Sequence, residues 1–262
     1  MIEFNHVSAA YGNGTPVFTD WSFAISDRSV TTILGANGTG KTTLLKCLTN
    51  QLRPCAGNIV IDGTPVLSLT PRALARKIAY VPQNCDAAID YTVLDFICFG
   101  RMPYLHPLAT PSDEDYHMAK EAAENHGILH LAGKCMSAIS GGERQLAYIV
   151  RALVQDTPII IMDEPMSALD FGHQAIILDK IVELRESGKA VIFTSHNPNH
   201  AIATSAQIIM IDREKHIVQG YSRELLKNQE LLELTFGKRV RYFQLDQDGY
   251  ITFTADKQGS VL

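Results

Sequence analysis

Short apolar runs rich in Ile and Val alternate in this chain with longer stretches whose apolar positions recur at helical spacing. Ile78–Val81, Ile159–Met162, Ala190–Thr194 and Ile208–Ile211 are such runs, and Val30–Leu34 is a short β-branched run ending at Gly35. Continuous rather than alternating hydrophobicity suits strands buried on both faces, as in a sheet covered by helices. A helical pattern starts near Lys41 and carries Leu44, Leu45 and Leu48, and a second carries Ile176, Ile177, Ile181 and Leu184. Residues 2–34 read as strands with turns, among them Tyr11-Gly12-Asn13-Gly14. Ile59–Ile61 reads as a strand entering an Asp62-Gly63 turn, and Pro71 opens a short helix reaching Lys77. From Thr92 to about Val154 the pattern is mainly helical. There Ser112-Asp113-Glu114-Asp115 has the spacing of a capping box, with Asp at the reciprocal position where Glu or Gln is usual. Asp248-Gly249, between Tyr242–Leu245 and Tyr250–Phe253, predicts a hairpin. The expected architecture is α/β: a main domain over 1–236, a helical subdomain inserted at about 87–150, and a C-terminal extension over 237–262.

Composition narrows this picture. With 262 residues, 46% of them hydrophobic, the chain can bury a sizeable core. The net charge of −5 and the lack of a long basic block argue against a nucleic-acid partner. Five scattered cysteines, Cys47, Cys55, Cys85, Cys98 and Cys135, form no C-x-x-C pair, so they read as core residues or free thiols in a reducing compartment. Met1 to Asn5 lack the features of a signal peptide, and no apolar run approaches the roughly 20 residues of a membrane span. The expected location is the cytoplasm, with membrane contact through a partner.

The chemistry begins at Gly35-Ala36-Asn37-Gly38-Thr39-Gly40-Lys41-Thr42, which fits G-x-x-x-x-G-K-[ST] between a predicted strand and a predicted helix. Backbone N–H groups of such a loop surround phosphate oxygens, and Gly38 and Gly40 permit close approach. Lys41 neutralises charge on the terminal phosphates, and the Thr42 hydroxyl suits Mg²⁺. Asp163 and Glu164 end the apolar run Ile159–Met162. A strand-end carboxylate is a natural Mg²⁺ ligand, and the next one is placed to polarise an attacking water. His196 and His200, four residues apart, have a spacing also found in zinc sites, but Pro198 lies between them and no further ligand is arranged nearby.

Farther along stands Ser140-Gly141-Gly142-Glu143-Arg144-Gln145. Together with the loop at 35–42 and Asp163-Glu164-Pro165, this ordered set resembles the nucleotide-binding subunit of an ATP-binding-cassette (ABC) transporter. The likeness runs from about residue 2 to 236. It implies a P-loop (RecA-like) core, an N-terminal antiparallel β subdomain and an inserted α-helical subdomain. It further implies an ATPase using ATP and Mg²⁺. By this resemblance Tyr11 stacks on adenine, and Gly35, Asn37, Gly38, Thr39, Gly40, Lys41, Thr42 and Thr43 hold the phosphates. Thr42, Gln83 and Asp163 serve the metal, while Glu164, His196, Gln83 and Lys41 carry catalysis. Ser140, Gly141, Gly142 and Asp170 serve the nucleotide of a second copy, so each hydrolysis site needs two chains. The implied partners are that second copy, two permease subunits in the membrane and, indirectly, a periplasmic or extracellular binding protein. The implied place is the cytoplasmic face of the membrane.

Two features point to a branch. Phe99-Gly100-Arg101-Met102-Pro103-Tyr104 resembles the helical lobe of importers for iron–siderophore, haem and cobalamin, and the lobe is compact. On that reading the face around Gln83–Arg101 receives a permease helix, and Arg101 contributes to docking. His196-Asn197-Pro198-Asn199-His200 departs from the His-Asp-Leu-Asn usual in siderophore and cobalamin subunits, which leaves molybdate or tungstate import as an alternative. Glu143, where the signature often has Gln, and Met166, after Asp-Glu-Pro, are further departures. A non-transport ABC ATPase, such as an iron–sulfur scaffold component, is the rival from another class.

Overall fold

The protein is described here by a computed structural model that covers residues 1–12, 14–85, 91–106, 108–167, 169–204, 206–237, 240–244 and 251–255. It divides into two compact units, residues 1–67 with 178–262, and residues 68–177.

In the first unit, β1 (Ile2–Ala9), β2 (Phe18–Ile25), β4 (Ala56–Ile61) and β5 (Thr64–Pro65) form an antiparallel sheet ordered β2-β1-β4-β5. Both long strands alternate buried and exposed positions, so one face carries the core. On that face Phe4 stacks on Phe23 and Phe18 on Trp21, whose indole N–H donates to the Lys215 carbonyl at 2.8 Å. Next to it stand β3 (Val30–Gly35), β8 (Ala190–Ser195), β9 (Gln207–Ile211) and β10 (Ile217–Tyr221). β3 runs parallel to both β8 and β9, and β10 is antiparallel to β9. Every residue of β3 and β8 is buried, Thr31, Thr32, Thr194 and Ser195 included. α1 (Lys41–Leu48) buries Leu44, Leu45 and Leu48 almost completely. Each such side chain contributes about 1.5–3 kcal/mol of burial. α7 (Pro198–Ala203), α8 (Ser222–Leu225) and α9 (Gln229–Phe236) close a cluster of Leu34, Ala201, Ile208, Met210, Leu226 and Leu232. β11 (Val240–Gln244) pairs antiparallel with β12 (Ile251–Ala255); the Asp248-Gly249 turn expected between them lies outside the described residues.

The second unit holds α2 (Pro71–Ala75), β6 (Ile78–Val81), α3 (Val93–Cys98), α4 (Asp113–Asn125), α5 (Gly141–Val154), β7 (Ile159–Met162) and the start of α6 (Phe171–Glu186). β6 and β7 are parallel. Ser112 and Asp115 complete the reciprocal box read from the sequence, and Thr70 and Thr92 accept from backbone N–H groups three residues on. The N–H of Ser112 above all holds the Asp115 carboxyl below its ordinary range.

The Gly100-Arg101 pair has a local explanation. A Cβ on Gly100 would sit 2.3 Å from the Arg151 carbonyl, so α5 approaches this turn as closely as only glycine permits. Arg101 turns inward: its side chain is 16% exposed, it pairs with Asp115 at 3.2 Å and donates to the Val154 carbonyl, and it lies over the Tyr104 ring. The expectation that Arg101 is presented for docking is therefore corrected, because its charge is spent on tying α4 and α5 to the 99–104 turn. Arg101→Glu sets two carboxylates against each other in a mostly buried site, at a cost of about 3 kcal/mol. Urea unfolding of the variant should show that loss.

Candidate functional site

The first unit shapes the loop at 35–43. β3 ends at Gly35 with no space for a side chain: a Cβ there would lie 2.8 Å from Thr39 Oγ1 and 2.9 Å from the Ile211 carbonyl. Gly38 and Gly40 have φ of 82° and 106°, and Gly40 is pressed against Val17, Phe18 and Trp21. Glycine is needed at both, and the aromatic block of β2 is what seats the loop's end. Lys41 is buried and its Nζ donates to the carbonyls of Gly35 at 3.0 Å and Ala36 at 3.1 Å, so the loop is curled around an ammonium group. Asn37 is exposed, while Thr39 and Thr43 are buried and Thr42 is half-buried on the first turn of α1. Tyr11 is half-exposed with its hydroxyl 3.2 Å from Thr43 Oγ1, and Lys46 Nζ lies 5.5 Å from its ring centroid. A flat aromatic face thus stands beside the α1 start, as stacking on a base requires.

His196 follows β8 and is exposed. Its neighbours are fixed by a buried set that the sequence did not reveal. Ser195 Oγ accepts from the Asn197 N–H at 2.9 Å and lies 3.0 Å from His200 Nδ1. Asn197 then caps α7, with Pro198 in its first turn. His200 is buried and braces the segment that presents His196, a structural place rather than an exposed one.

The second unit carries the other candidates. Asp163 ends β7 at 1% exposure, with its N–H donating to the Val81 carbonyl. Burial, reinforced by Asp163, pushes the neighbouring Tyr80 phenol far up. Glu164 has φ of 44°, a region non-glycine residues seldom occupy, and strain of this kind gathers at working sites. Gln83, Gly141, Arg144, Gln145, Glu164 and Ser167 line a cleft of about 310 Å³. Gln145 and Arg144 were missed by sequence reading. Arg144 donates to the carbonyls of Met136 and Ile139, bracing the segment before Ser140.

Ser140 caps α5. Its Oγ accepts from the Glu143 N–H at 3.3 Å, and Glu143 Oε2 accepts from the Ser140 N–H at 2.8 Å. That Ser140 N–H chiefly holds the Glu143 carboxyl below its ordinary range. Glu143, a departure from the usual Gln, therefore closes a capping box with a charge. Ser140 and Gly141 remain exposed at the start of a 14-residue helix, where the dipole and free N–H groups favour an anion. Asp170 is exposed and bonded to His173, whose N–H chiefly holds the Asp170 carboxyl down.

The model of the ABC transporter family matches residues 18–167. The chain belongs to the ABC transporter family. It is 34% identical to the ferric enterobactin transport ATP-binding protein FepC of Escherichia coli, over 89% of this chain and 86% of that one. It is 32% identical to the molybdate import ATP-binding protein MolC of Haemophilus influenzae, over 83% and 81%. Among solved structures, an inward-facing ABC transporter described as metal-chelate type superposes with a TM-score of 0.86 at 28% identity, covering 98% of this chain and 97% of the other. The chain is an ABC importer ATPase, and its domain binds ATP. Among the described residues no helix is long and apolar enough to cross a membrane.

Proposed function

We propose that this ABC ATPase energises uptake of a metal chelate, of the iron–siderophore, haem or cobalamin class, as a homodimer beneath two permease subunits. The observation that supports the dimer is the exposed, capped start of α5 at Ser140-Gly141-Gly142, on a chain that also carries the glycine loop at 35–42. Backbone N–H groups of residues 35–43 and the Lys41 ammonium hold the phosphates. Tyr11 takes the adenine. Thr42, Gln83 and Asp163 would hold Mg²⁺ through oxygen donors, as the family resemblance implies; Asp163 is a deeply buried carboxylate. When bound, that ion neutralises phosphate charge. Glu164 takes the proton of the attacking water, Gln83 orients that water, and His196 bonds the γ-phosphate. Ser140, Gly141, Gly142 and Asp170 of a second copy complete the site, and hydrolysis releases the pair.

The chelate class is supported by the likeness to FepC and to the metal-chelate transporter. The MolC likeness and the His196-Asn197-Pro198 stretch favour molybdate as the second reading. The chain, purified with its permease and reconstituted with the corresponding binding protein, should drive ATP-dependent uptake of a labelled ferric chelate and not of molybdate. Molybdate uptake without chelate uptake supports the second reading, and an ATPase that co-purifies with no polytopic membrane protein contradicts both.

A further inference from the structure

No motif assigned a role to His173, yet it joins two of the segments that the proposed dimer brings to the nucleotide. Its backbone N–H donates to Asp170 Oδ1 at 3.0 Å, and its Nδ1 lies 2.7 Å from Asp170 Oδ2. The Asp170 carboxylate thus holds the residue at two points and fixes the direction of its ring. The other edge of that ring lies against the α5 start: a Cβ on Gly142 would meet His173 Cδ2 at 3.2 Å and Nε2 at 3.4 Å. Gln174 ties the same loop from behind, its Nε2 donating to the carbonyls of Leu169 at 2.9 Å and Met166 at 3.2 Å. The imidazole is therefore a spacer between Gly142 and Asp170, held on one side by hydrogen bonds and on the other by contact.

We propose that His173 is a positioning residue, which sets the signature at Ser140-Gly141-Gly142 and the loop at Asp170 in one fixed geometry so that both reach a second copy's ATP together. The proposal rests on the dimeric reading above. Its physical reason is that the ring is bonded to Asp170 on one side and packed against Gly142 on the other, so it sets the spacing between them. A displacement of about 1 Å at a reacting centre is enough to cost about a hundredfold in rate. His173 is itself about half exposed, so its removal leaves the core untouched.

The test measures ATPase kcat, and ATP affinity of the single chain, for His173→Ala, His173→Asn, Gly142→Ala and the Gly142→Ala/His173→Ala pair. His173→Ala should lower kcat about tenfold, within the range that misplacement allows, with unchanged single-chain affinity. His173→Asn, whose Nδ2 can donate to the same carboxylate, should recover most of that loss. Gly142→Ala should cost turnover because its Cβ meets a held ring, and should cost less in the His173→Ala background, a non-additivity that reports direct coupling. Wild-type kcat in His173→Ala, no recovery in His173→Asn, or simply additive losses in the pair overturns the proposal. Ser140→Arg, measured alongside, separates the two levels: wild-type turnover there removes the dimeric reading itself, whereas its loss beside an unaffected His173→Ala removes only the positioning role.

Discussion

Glu164→Gln should hydrolyse ATP about a hundredfold more slowly than the wild type, or slower still, the scale of losing a general base. The amide keeps the size and one acceptor oxygen of the carboxylate but cannot take a proton from water. Its placement makes the effect specific. Glu164 follows the buried Asp163 at the end of β7 and is held at φ of 44°, a conformation costing about 1 kcal/mol or more for a non-glycine residue. The turn's backbone bond runs from the Ser167 N–H to the Glu164 carbonyl, which Gln also has. Nucleotide affinity should persist, because Lys41 and the loop around it are unchanged. Equilibrium binding and phosphate release on one preparation measure both. Turnover at the wild-type rate removes Glu164 from the role of base.

Ser140→Arg should abolish cooperative turnover while the isolated chain still binds ATP. Ser140 lies in the second unit, at an exposed helix start, and a large side chain fits there without disturbing the core. The cap would be lost at about 1 kcal/mol, which a folded domain tolerates. The guanidinium would fill the space where a second chain's nucleotide is to sit. Weakened ATP binding by the monomer would place Ser140 at its own chain's site.

What the sequence disclosed follows from where signals are local. The strands at 30–35, 78–81, 159–162, 190–195 and 207–211 were legible because both faces are buried and the runs are apolar or β-branched. The loop at 35–42 was legible because glycine positions and a fixed lysine suffice to define it. The resemblance to ABC subunits then named the remaining site residues, whose type alone said little. Less legible were features made by partners far along the chain. Arg101 showed its charge but not Asp115, so it was read as presented outward when it is tied inward. His200 showed only a spacing from His196, and its contact with Ser195 arises because Pro198 opens α7 between them. β10, α8 and α9 were not predicted: β10 alternates weakly as a sheet edge, and α8 is only four residues long. His173 was invisible for the same reason, since its meaning lies in Gly142, thirty-one residues away.

In the proposed dimer one chain carries complementary halves of two hydrolysis sites. Sedimentation of Glu164→Gln with and without saturating Mg·ATP tests it most directly. The mass of one chain is expected without nucleotide and of two chains with it, with reversion to one chain when Ser140→Arg is added to the same background. A Glu164→Gln chain that binds ATP yet stays at the mass of one chain, or a dimer indifferent to Ser140→Arg, would contradict it.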